Sequence, residues 1–445
     1  MDFNAFKEAV IAKCAQMGIT EYELYYENAE STSIGAFQHE INQFTCSTEG
    51  GVCFRCIFGG KMGYASTENL SAEQAAAVVE KAVDNASVLE AEEQVFLCEG
   101  GQEYEPMEDR SYPLPGTEEI ISTVLATQDK LYAANPAVID GSQTQGVAER
   151  SEIAIYNSKG LDLHSVTSLS GLIAVAVVTN GKEMANDYQV KLAKLDTINT
   201  EELTQKAAAT ALQKLGGDVA PTGQYSVVFD PEAMSDLLQT YSSVFSSEAA
   251  QKGLSKLANQ EGKVVASDVV TLVDDPFHPT NPGARNFDAE GSPTHCKKVI
   301  ENGVFNTLLY NLKTAAVAGK KTTGNASKAG YAGAVGISPF TLYLAPGEMS
   351  EEELIAKAGE GVYINSLGGL HAGADPISGD FSLQSSGFMI RGGKKAEYVK
   401  SFTVAGNFYE MLKNITCVAS NLEMPGMSSF GSPSVLVDGL SIAGK

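Results

Sequence analysis

An α+β protein is expected, with antiparallel sheet and flanking helices in the N-terminal region and a β-rich C-terminal domain carrying a few helices. Three observations predict it. Between Glu21 and Ser66 short β-rich runs (YELYY, SIGAF, GVCFRCIF) alternate with turns, the period-two pattern of an antiparallel meander. Three helix signals with caps punctuate the first 216 residues, and strand patterns dominate from Gly361 onward. A chain of 445 residues exceeds one ordinary core, so two or three domains are expected, and 43% hydrophobic residues suffice to fill them.

In chain order, Phe3, Phe6, Val10, Cys14 and Met17 lie on one face of a first helix. After the meander, Ser71 followed by Gln74 opens a helix whose Ala75, Val78, Val79 and Ala82 share a face. Glu99 to Pro115 reads as an exposed connection, and Thr117 is expected to cap a helix running to about Ala134. Three or four longer strands follow, turning at Asn157-Ser158-Lys159-Gly160 and Asn180-Gly181-Lys182, with the apolar GLIAVAVV expected at the centre of its sheet. Thr200, Glu201 and Glu202 start a helix that Gly216 and Gly217 close.

Residues 216–223, GGDVAPTG, form the expected domain boundary. It divides an N-terminal α+β region, 1–220, with sub-units near 1–98 and 116–216, from a β-rich domain at 221–445. In the latter, YSVVFD reads as a strand and Asp230-Pro231-Glu232 as an N-cap with an N1 proline. Asp274 to Pro293 reads as loop, Glu301-Asn302-Gly303 as a hairpin turn, and Ser350 with Glu353 as a capping box.

The formal charge of -24, from 55 acidic against 31 basic residues, disfavours direct contact with nucleic acid, which needs a basic patch to release counterions. Seven scattered cysteines suit a reducing cytoplasm, and the first helix lacks the pattern of an export signal. The longest apolar run, Leu172 to Val178, is too short to span a bilayer, so no membrane partner is expected.

Cys53 and Cys56 form a CxxC, but inside a strand their side chains diverge to opposite faces and no second CxxC completes a zinc site. The histidines, His39, His164, His278, His295 and His371, form no HxH or HExxH pair. GxSxG, P-loop and GxGxxG patterns are missing, which removes the usual serine hydrolase and nucleotide readings. The densest polar segment is Ser366 to Ile390, where His371, Asp375, Ser378 and Asp380 sit on a glycine-rich turn entering a strand. A functional loop on a rigid scaffold has this composition, and so does a turn built from Asx residues and glycine.

GLHAGADPISGDFSLQSSGFMIRGG, SFTVAGNFYEMLKNITCVASNLE and GSPSVLVDGLSIAGK resemble the C-terminal signature of the TldD/PmbA family, also called modulators of DNA gyrase. The resemblance extends upstream through TLVDDPFHPTNPGARNFDAEG and covers most of residues 225–445, while FRCIFGGKMGYASTENL agrees with the family's N-terminal domain. TldD-type subunits carry HExxxH on a helix early in the C-terminal domain, with a late cysteine as a further ligand. The matching helix here, PEAMSDLLQTYSSVFSSEAAQKGLSKL, has no histidine, and MPGMSSFGSPS has no cysteine. Cys417 lies earlier, in TCVASN.

The resemblance therefore implies a PmbA/TldE-type subunit without a cofactor of its own, zinc being expected in a TldD-like partner. Its implied work is to help form the peptide chamber of a cytoplasmic metalloprotease complex acting on short or unfolded peptides. His371, Asp375, Ser378, Asp380 and Ser382 are the chamber candidates, with no catalytic and no metal residue in this chain. Extended peptide is expected to add to a sheet edge near Phe381 to Met389. The alternative is a stand-alone peptide-binding or assembly homodimer with no catalytic role.

Overall fold

The computed structural model describes residues 1–90 and 94–445. Helix α1 (Phe3–Met17) starts on Asp2, whose carboxylate accepts from the Ala5 amide, and stops at Gly18 in the left-handed region. The meander is β1 (Tyr22–Phe37), β2 (Glu40–Phe58) and β3 (Lys61–Thr67), followed by α2 (Ala72–Val88) with Ser71 as N-cap. The expected short runs fuse into strands of 16 and 19 residues, because polar stretches such as Glu27–Ser33 also join the β1–β2 ladder.

Helix α3 (Thr117–Ala134) corrects one cap: Gly116 is the N-cap and Thr117 the first helical residue. Next come β4 (Gln143–Asn157), β5 (Asp162–Thr179), β6 (Met184–Leu192) and α4 (Thr200–Gln213), which Asn199 caps. One antiparallel sheet, β3-β2-β1-β4-β5-β6, draws on both sub-units. GLIAVAVV belongs to β5, second from the edge and not central. Its apolar character comes from helix cover: Leu172, Ala174, Ala176 and Val178 pack with residues of α3 and α4. Helices α1 and α2 cover the β1–β3 end of that face around Leu24, Val52 and Phe54.

Residues 216–223 are no loose linker. Strand β7 (Asp218–Val219) and β8 (Gly223–Phe229) are both in the C-terminal sheet, and Ala220 is fully buried. Helix α5 (Pro231–Tyr241) continues as a 3-10 turn to Phe245, and α6 (Ser247–Gln251) follows. Then come β9 (Leu272–Asp274), β10 (Lys297–Glu301), β11 (Val304–Phe305), α7 (Leu312–Ala318), β12 (Ala326–Ser327), β13 (Gly336–Ile337) and β14 (Leu342–Leu344). The remainder is α8 (Glu351–Ala358), β15 (Gly361–Gly368), α9 (Leu370–Gly373), β16 (Asp380–Arg391), β17 (Lys394–Asn407), α10 (Phe408–Lys413), β18 (Ile415–Val418), β19 (Phe430–Gly431) and β20 (Val435–Ala443).

Strands β20, β8, β15, β16 and β17 pair in that order, and β17 pairs back with β20 through Thr403–Ala405, closing a barrel. Its core includes Val227, Phe229, Val362, Ile364, Leu383 and Val404, with Met234, Leu237 and Tyr241 of α5 packed into the same cluster. A second sheet, β11-β10-β9-β14-β19, flanks it. The fold is thus α+β with a β-rich C-terminal part.

The two halves are joined by a buried ion cluster. Arg55 Nε on β2 donates to Glu23 Oε1 on β1 at 2.7 Å, and its Nη1 lies 3.7 Å from Glu290 of the C-terminal half. The expected exposed connection after Glu99 is also anchored: Arg110 donates to the carbonyls of Phe277, His278 and Asn281.

Cys53 and Cys56 diverge as their spacing requires, Cys53 packing with Tyr25 and Phe287 and Cys56 with Val10 and Val79 on the opposite face. Among the described residues no helix is long and apolar enough to cross a membrane.

Candidate functional site

Asp375, Ser378 and Asp380 are brought together in one turn. The Asp375 carboxylate accepts from the Ile377 amide at 2.9 Å, which holds it below the usual carboxylate range, and the Asp380 amide donates to Ser378 Oγ at 3.1 Å. Asn407 Nδ2 donates to both Asp380 Oδ1, at 2.8 Å, and the Ser378 carbonyl, at 2.9 Å. These side chains hold the turn's own shape, while His371 on α9 and Ser382 on β16 are exposed.

The expected peptide edge at Phe381 to Met389 is overturned. β16 is an interior strand, hydrogen-bonded to β15 on one side and β17 on the other, with Ala374 bridging Phe381 near its start. From Gln384 to Met389 both sides of the strand are taken, and the Ala374 bridge at Phe381 leaves only Ser382 and Leu383 between them, too short a gap to receive a new strand.

A cleft of about 660 Å³ lies instead between the two halves of the chain. One wall is β6 with Asp187, Tyr188 and Lys191, and the helix α4 beside it; the other is the first turn of α5, Tyr363 of β15, Glu351 of α8 and the 421–426 loop. β6 pairs only with β5, so its outer edge is an unpaired backbone row in the cleft wall.

The α5 wall follows from its cap. Asp230 accepts from the Ala233 amide at 2.8 Å, Pro231 takes the first helical position, and Glu232 then stands at the rim. Burial pushes Asp230 up to about 8 in spite of that amide. Glu232 is also raised, by burial first, with Asp187 and Glu423 adding repulsion and the Tyr188 hydroxyl and Lys214 opposing it. Asp236, four residues on and on the same helix face, is pushed up to about 6 by burial and by Glu232. Glu351 behaves in the opposite way: burial would raise it, but Lys395 and the hydrogen bonds of Tyr363 and Ser434, both at 2.7 Å, hold it below the usual range.

The residues present do not fit a zinc ion. Among the described residues no group of three or more His, Cys, Asp or Glu is placed to hold a metal, and α5 offers the cleft carboxylates alone. Zinc sites are built from imidazole and thiolate with at most a carboxylate or two.

Sequence reasoning missed Tyr188, Asp236, Glu351 and Glu423, and took Glu232 only as part of a cap. A signal existed for two of them: Glu232 and Asp236 are acids at i and i+4 on a helix that is otherwise largely buried.

Residues 222–444 match the model of the PmbA/TldA metallopeptidase C-terminal domain, 22–86 that of domain 1, and 111–215 that of the central domain. A crystallised Thermotoga maritima protein described as a modulator of a DNA gyrase is 30% identical and superposes with a TM-score of 0.90, over 99% of this chain and 100% of that one. TldE from Thermococcus kodakarensis, 21% identical, shares the fold with a TM-score of 0.88 over 99% of this chain and 100% of that one. The metalloprotease PmbA of Escherichia coli O157:H7 is 22% identical over 95% of this chain and 92% of its own length. With the model matched across the whole C-terminal half and a 30% identical neighbour covering the full fold, the chain belongs to the TldD/PmbA family.

Proposed function

We propose that this chain is the non-zinc subunit of a TldD/PmbA-type metalloprotease complex and binds extended peptide in the cleft between β6 and α5. A TldD-like partner supplies the zinc and the hydrolytic step. The observation that carries the reading is the unpaired edge of β6 facing a cleft whose helix offers carboxylates but no histidine or cysteine. Backbone pairing on an edge gives affinity that is largely independent of peptide sequence, as the processing of unfolded segments requires.

His371, Asp375, Ser378, Asp380 and Ser382 remain in the proposal as a second contact. Their turn meets the far end of α5, where Tyr241 donates to the Asp380 carbonyl at 2.9 Å. Eleven helical residues separate it from the cleft, roughly 16 Å, which an extended peptide of about five residues covers.

The test is peptide binding to the purified chain, with and without backbone N-methylation at alternate positions. Binding that survives chelation, tolerates side-chain changes and is lost on N-methylation is expected. Stoichiometric zinc in this chain alone, or hydrolysis by it without a partner, would overturn the division of labour.

A further inference from the structure

One cysteine of the C-terminal half stands unusually close to a lysine. Lys357, in the last turn of α8, has its Nζ 2.7 Å from Sγ of Cys417 on β18. An ammonium hydrogen bond to a charged oxygen already spans about 2.7–2.9 Å, and sulfur is the larger atom, so a hydrogen bond to a thiol is longer than that. The two atoms are closer than a hydrogen bond places them and too far apart for a direct bond. A single bent oxygen fits the gap.

Both side chains are held by well-anchored elements. β18 pairs with β20, with Cys417 opposite Leu436, and Cys417 belongs to a buried cluster with Val228, Leu354, Ile355 and Leu436. α8 is fixed by its Ser350–Glu353 capping box and by Leu354 and Ile355 in that same cluster. Cys417 is 7% exposed while Lys357 is exposed, so a small oxidant reaches the sulfur along the lysine and a bulky thiol does not. The carboxylate that attracts Lys357, Asp438, is taken by the Ser226 hydroxyl at 2.7 Å. The thiol is the group that the lysine meets.

We propose that Lys357 and Cys417 form a modification site at which hydrogen peroxide installs a covalent nitrogen–oxygen–sulfur bridge, stapling α8 to β18. The chemistry balances with two peroxides. The Cys417 thiolate attacks the first, its sulfur taking one oxygen as the O–O bond breaks, which gives a sulfenic acid and water. Cys417 holds Lys357 above the ordinary lysine range, so the ammonium first gives its extra proton to water. The amine nitrogen then attacks the second peroxide in the same way, giving a hydroxylamine and water. The hydroxylamine oxygen displaces the sulfenic hydroxyl from sulfur, and that hydroxyl leaves with the hydroxylamine proton as a third water. Sulfur and nitrogen have each lost two electrons, which the two peroxides have taken. Because the fold holds the two groups side by side, the closing step is intramolecular and needs no encounter. Two equivalents of a dithiol reverse it, becoming disulfides and returning amine, thiol and water. Such a bridge ties two parts of the cleft wall together, since Glu351 opens α8 and the 421–426 loop follows β18. The inference does not rest on the peptide-binding reading.

The full-length chain is treated with a few equivalents of hydrogen peroxide, alkylated, digested and read by mass spectrometry beside Lys357→Arg and Cys417→Ser. A peptide pair joining Lys357 to Cys417 is expected, heavier than the sum of its parts by one oxygen less two hydrogens, lost on treatment with dithiothreitol and absent from both variants. Lys357→Arg keeps a cation at an exposed position, so folding is not at stake, and its Cys417 should stop at the sulfenic or sulfinic acid. A wild-type Cys417 that stays a free thiol under peroxide, that is oxidised without being linked, or that bonds to another cysteine would overturn the proposal.

Discussion

The Tyr188 hydroxyl on β6 donates to Glu232 Oε1 on α5 at 2.9 Å, so a single hydrogen bond ties the edge strand of the N-terminal sheet to the first turn of the C-terminal helix across the cleft. Tyr188→Phe removes one of the groups that oppose the raised pKa of Glu232. Glu232 should then titrate at still higher pH by carboxyl NMR, and unfolding free energy should fall by about 1 kcal/mol.

Asp236 carries a pH signature. Its folded pKa of about 6 lies above the ordinary 3.8, so the folded state holds the proton more tightly, and stability falls as pH rises from about 4 through 6. Asp236→Asn removes the buried charge. The variant should be more stable than wild type by about 1 kcal/mol at pH 7.5, a figure reduced for the part of the carboxyl that reaches water, with the difference vanishing below about pH 4. Thermal melts across that range check it.

Arg55 neutralises two buried carboxylates, Glu23 and Glu290, that come from different halves of the chain. Arg55→Met should cost about 3–5 kcal/mol, because it takes the guanidinium from both buried acids and leaves Glu290 with the Leu312 amide and Glu23 with the Asn157 side chain. Urea unfolding should also broaden or split, the N-terminal sheet separating before the barrel. A loss under about 1 kcal/mol would show that the cluster does not couple the halves.

Gly387 sits where β15 and β16 approach closely; a Cβ built there would run into the Tyr363 carbonyl oxygen. Gly387→Ala must push the two strands apart or bend one of them. A loss of about 3 kcal/mol is expected, and because Tyr363 also holds Glu351 at the cleft, peptide affinity should drop with it.

Local signals in the sequence were reliable where one residue decides the geometry. Ser71, Asp230 and the Ser350–Glu353 box cap the helices they were expected to cap, and Asn302 and Gly303 both take positive φ in the β10–β11 turn. What stayed hidden was partnership between distant segments. GLIAVAVV reads as a central strand because apolar composition reports burial, and burial under α3 and α4 looks the same as burial between strands. Phe381 to Met389 read as an edge because nothing local reveals that β15 and β17 take both of its sides. The cleft was invisible for the same reason: β6, α5, α8 and the 421–426 loop meet only in three dimensions. Within the glycine-rich Ser366–Ile390 segment, Gly387 lies where a Cβ would meet the Tyr363 carbonyl of the neighbouring strand.

Barrel closure also sets a timetable for synthesis. β8 is made early in the C-terminal half, but one of its two neighbours, β20, follows about 200 residues later. At roughly 5–20 residues per second, the apolar side of β8 waits about 10–40 s on the ribosome without that neighbour. Until β15, its other neighbour, has been made it is an unpaired strand, and until β20 follows it keeps one open side, so the nascent C-terminal half, more than the finished protein, needs a holding chaperone.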